Sequence, residues 1–186
     1  MAPPRSPGPS RPLNQIRLEE LALRYVGRFA TTRAKLTAYL CRKVRERGWN
    51  DSVEPDFDGL AGRFCELGYV DDAAYALAKS RSLSGRGYGK HRLEQTLRHA
   101  GIGEEDGALA REEAESAALE TALRYAERRR IGPWSSKKCD PKAREKAIAA
   151  MVRAGHSFSL AIAIASLEPG AEINREQLSE ERRNTP

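Results

Sequence analysis

One motif occurs three times along the chain and constrains its fold more than any other feature. Each copy opens with basic residues, continues with apolar residues four positions apart and closes on a glycine. The closing residues are Gly48, Gly101 and Gly155, separated by 53 and 54 positions. The apolar residues that lie eight and four positions before each glycine are Leu40 and Val44, Leu93 and Leu97, and Ala147 and Met151. A spacing of four is helical, and a fixed period indicates a repeated supersecondary unit. The motif therefore predicts an all-α chain, an elongated tandem array of three three-helix repeats.

Breaks in the helical pattern divide the chain further. We expect a disordered Pro-rich tail over residues 1–15, because Pro, Gly and Ser at this density cannot build a core. The three-helix repeats are expected over 16–70, 71–112 and 113–168, with a second disordered tail over 169–186. Gly107 predicts a weak third helix in repeat 2, and one long helix from about 113 to 130 is expected to open repeat 3.

Capping residues mark where most of these helices begin. Side-chain oxygens of Ser, Thr and Asp satisfy free N–H groups at a helix start, and Pro is favoured at the first helical position. The predicted caps are Thr31 or Thr32, Asp56 or Asp58, Asp71 with Asp72, Asp140 before Pro141, and Ser157.

Composition narrows the class of protein. The net charge is +6 and the pI about 9.4, which favours polyanions or acidic protein surfaces as partners. Cys41, Cys65 and Cys139 are scattered without a CxxC motif, which indicates a reducing compartment and neither a disulfide nor a zinc framework. No stretch approaches the roughly 18 apolar residues of a membrane span. We expect a cytoplasmic monomer that carries no cofactor and contacts no membrane.

Basic residues recur near equivalent helices of the three repeats. Repetition in three units favours a shared stripe that contacts an extended polyanion, although charge runs are commonly just solvated faces. The candidate binding residues are Arg33, Lys35, Arg42 and Lys43 in the first repeat, Arg81, Arg86, Lys90, Arg92 and Arg98 in the second, and Lys142, Arg144 and Lys146 in the third.

The segment from Gly85 to Lys90 reads GRGYGK and allows two interpretations. Free N–H groups at a helix start could hold a phosphate, or the glycines could form a helix–helix turn that requires positive φ. A Walker nucleotide site is disfavoured because His91 replaces the Ser or Thr that follows the lysine, and because a helix precedes the loop. Trp49 and Trp134 are expected in the core.

The stretch from Leu60 to Ile102 resembles the RecX regulators of the RecA recombinase. The matching positions are Leu67, Gly68, Tyr69, Val70, Asp71 and Asp72, then Tyr75, Ala76, Gly87, Gly89, Leu93, Leu97, Gly101 and Ile102. The resemblance covers roughly residues 16–168. Three departures stand out: Tyr75 where Phe is commoner, an inserted connector over about 130–140, and Ala147 where a larger apolar residue is expected.

The resemblance implies a non-enzymatic regulator. Such a protein binds the RecA nucleoprotein filament, contacts DNA weakly through phosphates, and reduces RecA's ATPase, strand-exchange and coprotease activities in the SOS response and DNA repair. The family contributes no catalytic residues. Two other functions stay open from the residues alone: a free-standing DNA-binding protein with helix-turn-helix-like units, and an enzyme that uses 85–90 on a phosphorylated substrate.

Overall fold

A computed structural model describes residues 11–137 and 140–183. Within this part of the chain there are ten α-helices, one 3-10 turn at Gly132–Trp134 and no strand beyond an isolated bridge between Leu13 and Trp49, which confirms the all-α prediction. The helices are α1 (Gln15–Val26), α2 (Arg33–Arg47), α3 (Phe57–Glu66), α4 (Asp72–Gly85), α5 (Lys90–Ala100), α6 (Glu104–Ser116), α7 (Ala118–Arg129), α8 (Pro141–Arg153), α9 (Phe158–Ser166) and α10 (Arg175–Arg183).

The chain divides into two compact units, and the boundary between Tyr75 and Ala76 falls inside α4. The first unit contains α1 to α3, and the second contains the rest of α4 and all later helices. In chain order the helices form three successive sets of three, with α10 as an addition. None of the described helices is long and apolar enough to cross a membrane.

Most of the predicted helix starts are confirmed. The side chains of Thr32, Asp56, Asp140 and Ser157 accept hydrogen bonds from N–H groups of the first helical turns. Asp71 does the same for α4, through a bond of 2.7 Å from the Ala74 amide. These local signals hold because each depends on only four consecutive residues.

The core of the first unit begins earlier than the sequence predicts. Leu13 is fully buried, and it exchanges backbone hydrogen bonds with Gly48 and Asn50. It packs with Leu18, Leu36, Leu40 and Leu60. The predicted tail over 1–15 is therefore wrong for residues 11–15, because a single leucine docks this segment on α2 and α3; residues 1–10 lie outside the described part.

The second tail prediction, over 169–186, is also wrong for the described residues. Leu178 on α10 is only 4% exposed and belongs to the core of the second unit, with Met151, Leu160 and Ile164. Two apolar side chains, Ile173 and Leu178, dock a segment whose average composition is polar. Residues 184–186 lie outside the described part.

Helices α6 and α7 differ from the sequence prediction in two ways. Gly107 does not interrupt α6. Its missing side chain leaves space for Arg111, whose Nε donates to both carboxylate oxygens of Glu94 at 3.1 Å. Because α6 continues to Ser116 and α7 starts at Ala118, the expected long helix is two helices, and α6 crosses the expected repeat boundary between 112 and 113.

Both tryptophans pack against the cores as predicted, Trp49 in the first unit and Trp134 in the second. No disulfide joins Cys41 and Cys65, and Cys139 lies outside the described residues.

Candidate nucleic-acid interface

The glycine-rich turn after α4 packs against the junction of α8 and α9. The Gly89 amide donates to the Ala154 carbonyl at 3.0 Å, and the His91 amide donates to the Gly155 carbonyl at 3.1 Å. Of the three glycines in the turn, only Gly87 has positive φ, at 76°. The amides of Gly89 and His91 are thus already bonded to carbonyls, which favours the turn interpretation over a phosphate cradle.

His156 holds this turn from the other side. Its Nε2 donates to the Gly87 carbonyl at 3.0 Å, and the residue is 3% exposed. Burial lowers its pKa from 6.5 to about 4, while the hydrogen bond to Gly87 acts in the opposite direction. His156 is therefore a neutral structural side chain at physiological pH.

This packing creates a basic groove between α5, α7 and α8, with a volume of about 570 Å³. Five exposed cationic residues contribute to its walls: Arg92, Arg129, Arg130, Lys146 and Arg153. Tyr88, Tyr125, Ile131, three alanines of α8 and its C-cap Ala154 supply the remaining lining. Among the described residues that line the groove, none is acidic, so its charges repel one another and favour an anionic ligand.

Helix α7 delivers two of the five cations through its C-terminal end. Arg129 lies in the last turn, with Cζ 5.7 Å from the Tyr125 ring centroid, and the Tyr125 hydroxyl donates to the Ala150 carbonyl at 3.2 Å. Arg130 follows in the left-handed conformation, with φ 54° and ψ 49°. Among described non-glycine residues it alone has positive φ, a conformation that side chains other than Asn, Asp and His rarely adopt.

The structure brings two of the twelve predicted basic residues into this groove, Arg92 and Lys146. Arg86 adjoins it, with its guanidinium carbon 5.5 Å from the Tyr88 ring centroid. Neighbours of the two groove residues on the same helices, Arg98 and Lys142, are exposed but do not line it. Arg144 is half-buried near Gly132, and no described residue accepts a hydrogen bond from its buried Nε.

Several other predicted residues bond to side chains of their own unit. Lys35 Nζ donates to the Tyr75 hydroxyl at 2.5 Å. Arg42 and Lys43 both bind the Glu46 carboxylate, at 2.9 and 2.6 Å. These hydrogen bonds lower the pKa of the Glu46 carboxyl, the one from Lys43 more than the one from Arg42.

In the second unit, Arg81 pairs with Glu113 at 3.1 Å and Lys90 with Glu115 at 2.8 Å. Arg33 is exposed at the start of α2. The ion pairs partly neutralise Arg42, Lys43, Arg81 and Lys90 within their own units, and the shared stripe stays a prediction.

Three groove residues were not among those predicted from the sequence: Arg129, Arg130 and Arg153. A signal existed in the run of three arginines before Ile131 and in the arginine two positions before Gly155. Both sit at helix C-termini, where basic residues also offset the helix dipole, so position alone did not distinguish binding from stability. No group of three His, Cys, Asp or Glu side chains that could hold a metal occurs within the described ranges.

Comparisons with known proteins agree on one family. A family model described as RecX, second three-helix domain, matches residues 71–110. Regulatory protein RecX of Thermobifida fusca (strain YX) is 32% identical over 157 residues, which cover 84% of this chain and 80% of that protein. Regulatory protein RecX of Myxococcus xanthus (strain DK1622) is 29% identical over 172 residues, covering 87% and 92% respectively.

A crystal structure of regulatory protein RecX has the same fold. The TM-score is 0.56 at 20% identity, and the match covers 81% of this chain and 70% of the crystallised one.

Proposed function

The chain belongs to the RecX family of regulatory proteins, and on that premise we propose that it binds the RecA nucleoprotein filament and reduces RecA's activities. The activities concerned are ATP hydrolysis, strand exchange and coprotease function. The protein acts by binding, as a monomer in the cytoplasm, and catalyses no reaction itself.

The basic groove is the observation that supports a nucleic-acid contact. Five exposed cations converge on about 570 Å³ with no acidic residue in the described lining. Contacts of Arg and Lys with phosphates release counterions, so binding through the groove weakens steeply as salt rises. Two groove cations, Arg92 and Lys146, come from α5 and α8, which are the basic helices of the second and third repeats.

The two other functions that the sequence left open, an enzyme and a free-standing DNA-binding protein, have less support from the structure. An enzyme that uses residues 85–90 would need free amides there, but those of Gly89 and His91 are bonded to carbonyls. A free-standing reader of duplex sequence would need side chains that pair with base edges, chiefly Asn, Gln or Arg. Of these, the described groove lining offers only arginines, which bind phosphates as well as guanine, and no Asn or Gln to read adenine.

The decisive experiment is a titration of RecA's single-strand-dependent ATPase with this protein at fixed moderate salt. We expect loss of activity well below one regulator per RecA. Unchanged ATPase at equimolar protein would refute the proposal, and intact DNA binding in the same samples would then favour the free-standing DNA-binding protein.

Two charge-reversed variants on one helix sharpen the titration. Lys146→Glu should weaken inhibition, because Lys146 lines the groove, whereas Lys142→Glu makes the same change of charge one turn away and should leave inhibition near the wild-type level. Equal effects of the two variants would show that net charge, and not the groove, mediates binding.

A further inference from the structure

We propose that the basic groove holds one nucleotide of a single strand, with the base on the alanine face of α8 beside Tyr88 and the flanking phosphates on the cationic rim. This deepens the proposed function by naming the nucleic-acid form that the groove accepts. The proposal rests on the shape of the groove as much as on its charge.

The floor of the groove is a smooth face of α8. Ala143, Ala147 and Ala150 of the helix and its C-cap Ala154 line it, at spacings of four, three and four residues, which place them on one side of the helix. Small side chains along this face allow a flat group to approach the helix closely.

At Ala147 the repeat pattern carries a smaller side chain than in the other two copies. The equivalent positions of the other two copies are Leu40 and Leu93, which are 0% and 1% exposed. Ala147 is half-buried and lines the groove. A leucine at this position would extend into the space that a ligand needs.

Aromatic and apolar surface lies between the charges. Tyr88 and Tyr125 line the groove together with Ile131. Because the hydroxyl of Tyr125 donates to the Ala150 carbonyl, the position of that ring is held by α8. Proteins that bind single strands combine such surfaces with cations, since every base offers a flat face for stacking.

The dimensions favour a single strand over a duplex. About 570 Å³ falls within the range of roughly 300–1,000 Å³ typical of small-ligand sites, so the open groove has room for a nucleotide but not for a double helix. In a duplex the bases are stacked and paired, and only the phosphates would reach the rim. Stacking on an alanine floor carries no hydrogen-bond readout, so the groove should not discriminate between sequences.

The test is fluorescence anisotropy of the full chain with three labelled probes of equal length: an oligothymidylate, the same backbone with abasic sugars, and a duplex. We expect the wild type to bind oligothymidylate about tenfold more tightly than the abasic strand, in the range of single base-stacking contributions. Equal affinity for these two probes would overturn the proposal, because phosphates alone would then account for binding.

Two variants of α8 distinguish base binding on the alanine face from phosphate binding on the cationic rim. Ala147→Leu should remove the preference for oligothymidylate over the abasic strand, while Ala149→Leu, an exposed position of α8 outside the groove lining, should preserve it. If Ala147→Leu alters the circular dichroism spectrum, Tyr88→Leu provides the same test from the wall of the groove. A preference that survives substitution at both 147 and 88 would refute a base-binding floor.

RecA ATPase measured on the same samples distinguishes the two proposals. Inhibition of RecA without a thymidylate preference would refute the base site and leave the regulatory function standing. A thymidylate preference that Ala147→Leu abolishes, without any effect on RecA, would support the base site and refute the regulatory function.

Discussion

Gly89 and Gly155 approach each other so closely that a Cβ atom on Gly89 would lie 2.3 Å from the carbonyl oxygen of Gly155. In the opposite direction, a Cβ on Gly155 would lie 2.4 Å from the backbone nitrogen of Arg92. This backbone contact joins the start of α5 to the end of α8. It thereby sets the distance across the basic groove, whose walls include Arg92 on one helix and Arg153 on the other.

Replacing Gly155 with alanine should destabilise the second unit strongly. Its φ of 95° is unfavourable for alanine, and the new methyl group would meet backbone atoms that cannot move away easily. We expect a loss of about 2–4 kcal/mol of unfolding free energy, measured by urea denaturation. Gly48→Ala is the matched control, since φ is 81° there but nothing lies within 4 Å, and it should lose only about 1 kcal/mol. Equal losses of unfolding free energy in the two variants would show that the backbone conformation alone, and not the close packing, makes glycine necessary at position 155.

Stability should fall as the pH drops below the ordinary pKa of histidine. Burial lowers the pKa of His156 to about 4, so the unfolded chain binds a proton between pH 6.5 and 4 that the folded chain does not. By linkage, this group should reduce the unfolding free energy by roughly 2 kcal/mol between about pH 7 and about pH 5.

The control for this pH dependence is His156→Gln, whose amide can still donate to the Gly87 carbonyl but does not titrate. Its loss of stability over the same pH interval should be smaller than that of the wild type. Identical pH profiles for the two proteins would contradict the assignment to His156.

Arg130 combines an unfavourable backbone conformation with a place in the groove. Because glycine adopts φ of 54° without steric conflict, Arg130→Gly should raise the unfolding free energy by about 0.5–1 kcal/mol. The same variant should bind single-stranded DNA more weakly, since it removes one of five groove cations. Thermal denaturation and anisotropy measured on one preparation test both effects, and a variant that is more stable yet binds DNA normally would remove Arg130 from the site.

Leu97 tests the core of the repeat without touching the groove. It is fully buried, so Leu97→Ala should lose about 2–5 kcal/mol of unfolding free energy through lost apolar contacts and the cavity left behind. At temperatures where the variant remains folded, its affinity for DNA should match that of the wild type. Reduced affinity in a fully folded sample would mean that the groove depends on packing in α5 beyond the contact at Gly89.

Local features of the fold could be predicted from the sequence. The caps at Thr32, Asp56 and Asp140 were readable because an N-cap depends on one side chain and the next three amides. The docking of Leu13 and Leu178 could not be predicted, because each is a lone apolar residue in a polar segment. The burial of each leucine depends on a distant partner. For the same reason, Gly107 could not be recognised as the residue that makes space for Arg111.

The candidate site likewise combines features that could be predicted from the sequence with features that depend on distant contacts. Gly48, Gly101 and Gly155 occupy equivalent places in the motif, and all three have positive φ, as a helix ending on glycine requires. The sequence by itself determined most of the helices, their capped starts and the repetition of basic residues, because these depend on near neighbours in the chain. Only the tertiary structure decided that Gly155 and not Gly48 is closely packed, and that Lys146 and not Lys142 lines the groove. Those differences arise where α5, α7 and α8 meet. They depend on contacts between residues up to 69 positions apart, which no local pattern encodes.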